Sequence, residues 1–329
     1  MADHGFKLFL VKVHQGFGHT PVNLAKTGDQ LDKHFAETIC DIVTPELAVT
    51  LDGRPILVEM DGGDVRLSPT NELRCRWDAC QRSATHVSFV FRYGRVGDFD
   101  VAMGATSEVP IDDKATTRPY RVELLLPPAG DTGVLAVETV GVSHPTEMFT
   151  RWAGLHSKRR SKKLETAALT PPWWRWILDP YPDPKQLDAL IQNGSKVTLE
   201  LTKYKPTAGG NGTYKDLVLI QEVHTQSKLK QTITTLTSWA KSGSQVNAAS
   251  DVSSLVNQSV GGLGFTDGEI VIEDKTGRRK RLTPTKMDDV FIYPIPAAKG
   301  NRPTAGQWEA EVRSKIADLA AEKKLQLDW

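Results

Sequence analysis

KVTLELTKYKPTAGGNGTYKDLVLIQEV, running from Lys196 to Val223, is the stretch whose reading decides the fold. In its first ten residues Val197, Leu199 and Leu201 alternate with Thr198, Glu200 and Thr202. A period of two marks a strand with one apolar face. DLVLIQEV is a second β-forming run, apolar on both faces, and PTAGGNGTYK between them is a long glycine-bearing turn. Two strands joined this way form a hairpin. The period then changes. Leu229, Ile233, Leu236 and Ala240 share one helical face, with Lys228, Lys230 and Lys241 outside it or at its rim. A hairpin beside a helix places this region in the α+β class.

The same alternation of periods extends outward. GFKLFLVKVH (5–14), RPILVEM, THVSFVFRYG, RVELLLPP and VLAVETVGV read as strands, and Val87, Phe89 and Phe91 share one face. Leu31, Phe35, Ile39 and Ile42 predict a helix; GDFDVAMGATSEVPIDDKATTRP predicts a loop with a short strand. DPKQLDALIQNG reads as a short helix closed by Gly194. SGSQVNAASDVSSLVNQSVGGLG is a polar loop or weak helix, and GEIVIEDKTGRRKRLTPTKMDDVFIYPIP a second hairpin. Trp308, Val312, Ile316 and Leu319 stripe a terminal helix. The expectation is an α+β protein of two mixed sheet-and-helix domains: a strand-rich domain at 1–157, a basic connector at 158–172, and a C-terminal domain at 173–329.

The 329 residues, 39% hydrophobic and 25% charged, suffice for two buried cores. No apolar run approaches the ~18 residues of a membrane span, and MADHGFKLFLVKVHQ lacks a signal peptide's apolar core. The expected location is therefore the cytoplasm. Cys40, Cys75 and Cys80 are too few for a disulfide framework, and C-x4-C without a second pair is no zinc site, so they read as buried or idle thiols. The net charge of +1 hides an asymmetry. Residues 1–150 carry 14 basic against 21 acidic side chains, and the remainder 27 against 19.

Two basic clusters stand out: Lys158, Arg159, Arg160, Lys162 and Lys163 in HSKRRSKKLE, and Arg278, Arg279, Lys280 and Arg281 after a turn that would expose all four. Clusters of this kind attract phosphates. Lys228 and Lys230 add to the same half of the chain. Trp173, Trp174 and Trp176 read first as core and second as stacking platforms for bases. No helix-turn-helix, zinc-finger or aromatic RNA-binding signature accompanies them, which points to backbone contacts without sequence reading. Asp267, Glu273 and Lys275 sketch a metal-dependent nuclease, with Asp216, Glu222 and His224 a looser version. Strand-end charges are the plainer reading of both. SVGGLGFTDG and GFGHT lack the flanking strand and helix or the lysine of a phosphate loop, and there is no G-x-S-x-G and no H-E-x-x-H. No catalytic residue, cofactor or metal is expected.

The order of elements, with VSFVFRYGRVGDFDVAMGATSE, then GEIVIEDKTGRRKRLTP and EAEVRSKIADLAAEKK, resembles the RexA-type phage exclusion proteins from roughly residue 85 to the end. The resemblance implies a prophage-encoded defence protein in a bacterial cytoplasm. It implies a homodimer that binds double-stranded DNA without sequence preference. Its partner would be a small RexB-like membrane channel that depolarises the membrane on infection. A distant relation to the fold of the ring protein RdgC is implied as well. A metal-dependent nuclease, or an adaptor for protein or lipid, is the alternative function.

Overall fold

GFKLFLVKVH forms the middle of β1 (His4–Gln15). Its two faces are both apolar because both are covered. Phe9, Val11 and Val13 join a core with α1 (Phe35–Ile42) and α2 (Thr146–Leu164). On the other face Phe6 stacks on Tyr293 and meets Trp308 edge-on. The computed structural model describes residues 4–43, 57–59, 65–67, 73–96, 101–103, 108–110, 115–141, 143–181, 183–207, 212–242, 247–256, 262–275, 277, 279–284, 287, 291–296, 302–327 and 329.

Two units partition the chain: residues 1–179 with 293–329, and residues 180–292. In the first, β2 (Leu57–Glu59) pairs with β3 (Val65–Leu67). β4 (Leu73–Ser83) and β5 (His86–Val96) form a hairpin. β6 (Val101–Met103) and β7 (Glu108–Pro110) pair with each other, so the predicted loop holds two short strands. β8 (Ala115–Leu125), β9 (Thr132–Val140) and β10 (Trp174–Pro180) complete a sheet in the order β10-β1-β9-β8-β5-β4, and β15 (Tyr293–Pro294) pairs with β1. The sheet is antiparallel wherever its register is defined. α6 (Ala305–Lys323) starts with a capping box between Thr304 and Gln307, and Trp308, Val312, Ile316 and Leu319 are buried.

The second unit holds α3 (Pro184–Asn193), β11 (Gly194–Pro206), β12 (Thr213–Glu222), α4 (Gln226–Ser242), α5 (Ala248–Leu255), β13 (Asp267–Asp274) and β14 (Arg279–Leu282). Its sheet runs β12-β11-β13-β14, all antiparallel. Leu187, Val197, Leu199, Leu201, Leu236, Trp239, Val252 and Ile270 form its core. The protein is α+β.

Several expectations change. Residues 158–164 are no connector but the last turns of α2, whose Phe149, Trp152 and Ala153 lie in the first core. The terminal helix does not belong with residues 173–292. It closes the first unit, because Trp308 Nε1 donates to buried Glu123 (3.0 Å) and Arg302 forks onto Glu138. The predicted stripe from Leu31 begins only at Phe35. Leu31 sits at φ +60° and is exposed, while the His34 ring accepts from Ala36 N–H as the helix cap. The segment 248–255, read as loop or weak helix, is helical, with Asn247 as its cap. Side chains of Ala240 and Lys241 lie outside the described residues, as do Thr276 and Arg278. Among the described residues, no helix is long and apolar enough to cross a membrane.

Glu138 is completely buried, and its carboxylate accepts from Arg302 and from the Arg121 backbone N–H. Removing one partner of a buried ion pair strands the other charge. Arg302→Ala is expected to destabilise the first unit by about 3 kcal/mol, read as a lower urea midpoint by tryptophan fluorescence. Glu138→Gln with Arg302→Ala should recover part of that loss.

Candidate nucleic-acid interface

α2 carries the densest basic run, and its inner face explains how that run is held. Phe149, Trp152, Ala153, His156, Ser157 and Ser161 recur at spacings of three and four and are buried. Trp152 stacks on Trp77 at 5.5 Å, and Phe149 meets Trp77 at 4.7 Å. Full burial of such a side chain contributes roughly 1.5–3 kcal/mol. The two serines tie the helix to the chain entering β10: Ser157 Oγ accepts from Trp174 N–H (2.7 Å), and Ser161 Oγ donates to Pro171 C=O. These contacts set which face of the helix is turned outward.

The five predicted cations of this helix divide by what they meet. Arg160 is committed inward: it forks onto Asp29 and lies 3.9 Å from Asp41. That hydrogen bond holds the Asp29 carboxyl below its usual range, against a smaller opposing effect of burial. Arg159 is half-buried and lines a cleft of about 340 Å³ with Asp41, His156 and Lys163. Lys158, Lys162 and Lys163 are exposed, and Lys162 and Lys163 sit in the last turn, where the helix dipole favours cations.

Lys158 has aromatic company. Its ammonium stands 5.5 Å from the Trp173 ring centre and 5.8 Å from that of Phe17. The two rings meet edge to face at 5.1 Å. Gly16, at φ +56°, turns the chain after β1, and its N–H donates to Trp173 C=O (2.8 Å). The turn leaves Phe17 75% exposed. Beside the aromatic pair opens a cleft of about 610 Å³ lined by Gly18, His19, Thr170, Pro171 and Trp173. Trp174 and Trp176 are core residues, as their plainer reading held. Sequence patterning does not single out Phe17; a large aromatic between two glycines in GFGHT is the signal it offers.

The hairpin cluster behaves differently. Arg279, Lys280 and Arg281 lie on β14, so they alternate instead of fanning out from a tip. β14 pairs with β13, which brings glutamates within reach. Arg279 Nε donates to Glu273 (2.8 Å), and Arg281 Nη1 donates to Glu269 and to Glu200 (3.1 Å). With Lys280 between the two arginines, three cations stand against Glu200, Glu269 and Glu273, so the described charges of this patch balance. Burial raises the Glu269 pKa, opposed by the Arg281 charge. On α4, Lys230 is exposed and Lys228 half-buried; two residues apart, they do not share a helix face.

The nuclease sketch fails on distance. Asp267 and Glu273 begin and nearly end one strand, so six residues separate them by about 20 Å. One metal ion cannot bridge that gap. Asp216 and Glu222 are likewise six residues apart on β12 and are paired to Lys205 and Lys196. Among the described residues, no group of three or more His, Cys, Asp or Glu could hold a metal ion.

Because Arg160 lowers the Asp29 pKa on folding, this pair stabilises the protein above the ordinary carboxylate pKa of about 4 and ceases to as pH falls through the lower folded value. Asp29→Asn should lower the melting temperature at neutral pH. The gap to the unmodified protein should close toward pH 3 in thermal melts across a pH series. The chain matches no family model, no curated protein and no solved structure.

Proposed function

We propose that this protein binds nucleic acid through its phosphate backbone, without reading sequence, using the outer face of α2. The observation that carries this reading is the contrast between its two basic clusters. The arginines of β14 are neutralised by Glu200, Glu269 and Glu273. Lys158, Lys162 and Lys163 are exposed on a helix immobilised by its aromatic inner face. Three cations without ion pairs among the described residues, on a rigid frame, suit a polyanion. The exposed Phe17, beside Trp173 and Lys158, adds a surface on which an unpaired base can stack.

Kinship to the RexA-type exclusion proteins, and through them to RdgC, belongs to the same proposal and rests on element order. So do the anti-phage role, a RexB-like membrane partner and a bacterial cytoplasmic location. The homodimer has independent support. β12 is an edge strand of its sheet, with Tyr214, Leu217, Val218 and Ile220 all at least 40% exposed. Unprotected apolar edges invite strand pairing. A second copy paired antiparallel about Val218 sets Leu217 against Leu219, Asp216 against Ile220 and Lys215 against Gln221, with no like charges opposed. The twofold requires a residue to face its own copy, and this register satisfies it.

Replacing Lys158, Lys162 and Lys163 together by Ala should flatten the dependence of log affinity on log salt by about 2 to 3, measured on unrelated double-stranded DNAs. Arg279→Ala with Arg281→Ala should leave that slope unchanged. Equal effects from both sets would overturn the assignment to α2, and no DNA binding at low salt would overturn the function itself. Ile220→Lys should convert a dimer to a monomer in light scattering; an unchanged mass would remove β12 from the interface.

A further inference from the structure

Cys40 and Cys80 lie 40 residues apart in sequence, the first on α1 and the second on β4, yet their Sγ atoms are 3.1 Å apart. A disulfide needs about 2.05 Å, so closing it asks for about 1 Å of side-chain movement. The surrounding structure keeps the two elements together: Arg82 on β4 and Glu37 on α1 form an ion pair at 3.4 Å. Both thiols pack at the margin of the first core and are only half-buried, so a small oxidant reaches them. Cys75, on the same strand, is 1% exposed.

We infer that Cys40 and Cys80 form a redox-active pair which a peroxide closes to an intramolecular disulfide. The contact between the two sulfurs makes one thiol easier to ionise than the other. A hydrogen bond from Cys80 lowers the Cys40 pKa, with help from the Arg82 charge and against burial, while the same bond and burial raise that of Cys80. Cys40 is therefore the nucleophile. Its thiolate attacks one peroxide oxygen, the O–O bond breaks, and the departing oxygen leaves as water after taking a proton. Cys40 is then a sulfenic acid. Cys80 attacks the Cys40 sulfur, the S–O bond breaks, and the oxygen leaves as a second water with the Cys80 proton. Two thiols and one hydrogen peroxide give one disulfide and two waters: two electrons leave the sulfurs and reduce the peroxide. A thiol reductant reverses the closure by exchange. The bond would lock α1, which carries the Asp41 that faces Arg160, against β4. The inference stands on this geometry and not on the nucleic-acid reading.

The test is hydrogen peroxide titration of the purified full chain, followed by unfolding, alkylation and mass mapping. Of the three cysteines, only Cys75 should remain alkylatable, with the Cys40 and Cys80 peptides joined and released by dithiothreitol. The melting temperature should rise by about 5–10 °C on oxidation, since the bond closes a long loop of the unfolded chain. Cys80→Ser should abolish both the link and the rise, and leave Cys40 trapped by a sulfenic-acid reagent. Three alkylatable thiols after peroxide, a link involving Cys75, or a disulfide between two chains would each overturn the proposal.

Discussion

Two glutamates on neighbouring strands hold this protein's architecture together. Glu123 and Glu138 are buried within an antiparallel sheet, where an ionised carboxylate without partners would cost several kcal/mol. Some of their partners are near, His86 and Ser88 for Glu123 and the Arg121 N–H for Glu138, but each also takes one from the far end of the chain: Trp308 lies 185 residues beyond Glu123, and Arg302 lies 164 beyond Glu138. The Arg302–Glu138 ion pair and the Trp308–Glu123 hydrogen bond tie the last segment to the first sheet. Phe6, Tyr293 and Trp308 then fill the apolar space beside them. Residues 180–292 consequently form a unit interposed in a chain whose two ends fold together.

Arginine and lysine density by itself does not make a binding surface, and the two basic runs demonstrate why. On α2, the 3.6-residue period sends aromatic and small residues inward. It leaves Lys158, Lys162 and Lys163 exposed, with Lys163 at the cleft that Asp41 also lines. On β14, antiparallel pairing sets each arginine across from a strand rich in glutamate, and the charges cancel. Equal charge density yields an available cationic face in one case and internal ion pairs in the other. The difference lies in what the secondary structure places within 4 Å.

The second unit was the more legible one. The alternation of Val197, Leu199 and Leu201 emerges as the inner face of β11, and Gly194 closes α3 as expected. Yet Thr198, Glu200 and Thr202, on the opposite face of the same strand, are buried too. The polar half of an alternating pattern is not always wet. Glu200 has a cross-strand neighbour, Glu269, and shares Arg281 with it. No local pattern announces such a partner eighty residues away.

Local periodicity determined β1, β5, β8, β9 and the two hairpins of the second unit, the terminal helix and the α+β class, because those depend on side chains a few residues apart; β4, β10 and the helix α2 carried no such reading. A stretch such as Trp308–Leu319 has one apolar stripe wherever it packs. What the tertiary structure alone decided were the pairings between distant segments. It assigned the last helix to the first unit, made the basic connector part of a packed helix, and brought Cys40 to Cys80. Each outcome turns on buried charges and apolar faces finding partners across the sequence, and that requirement has no period to read.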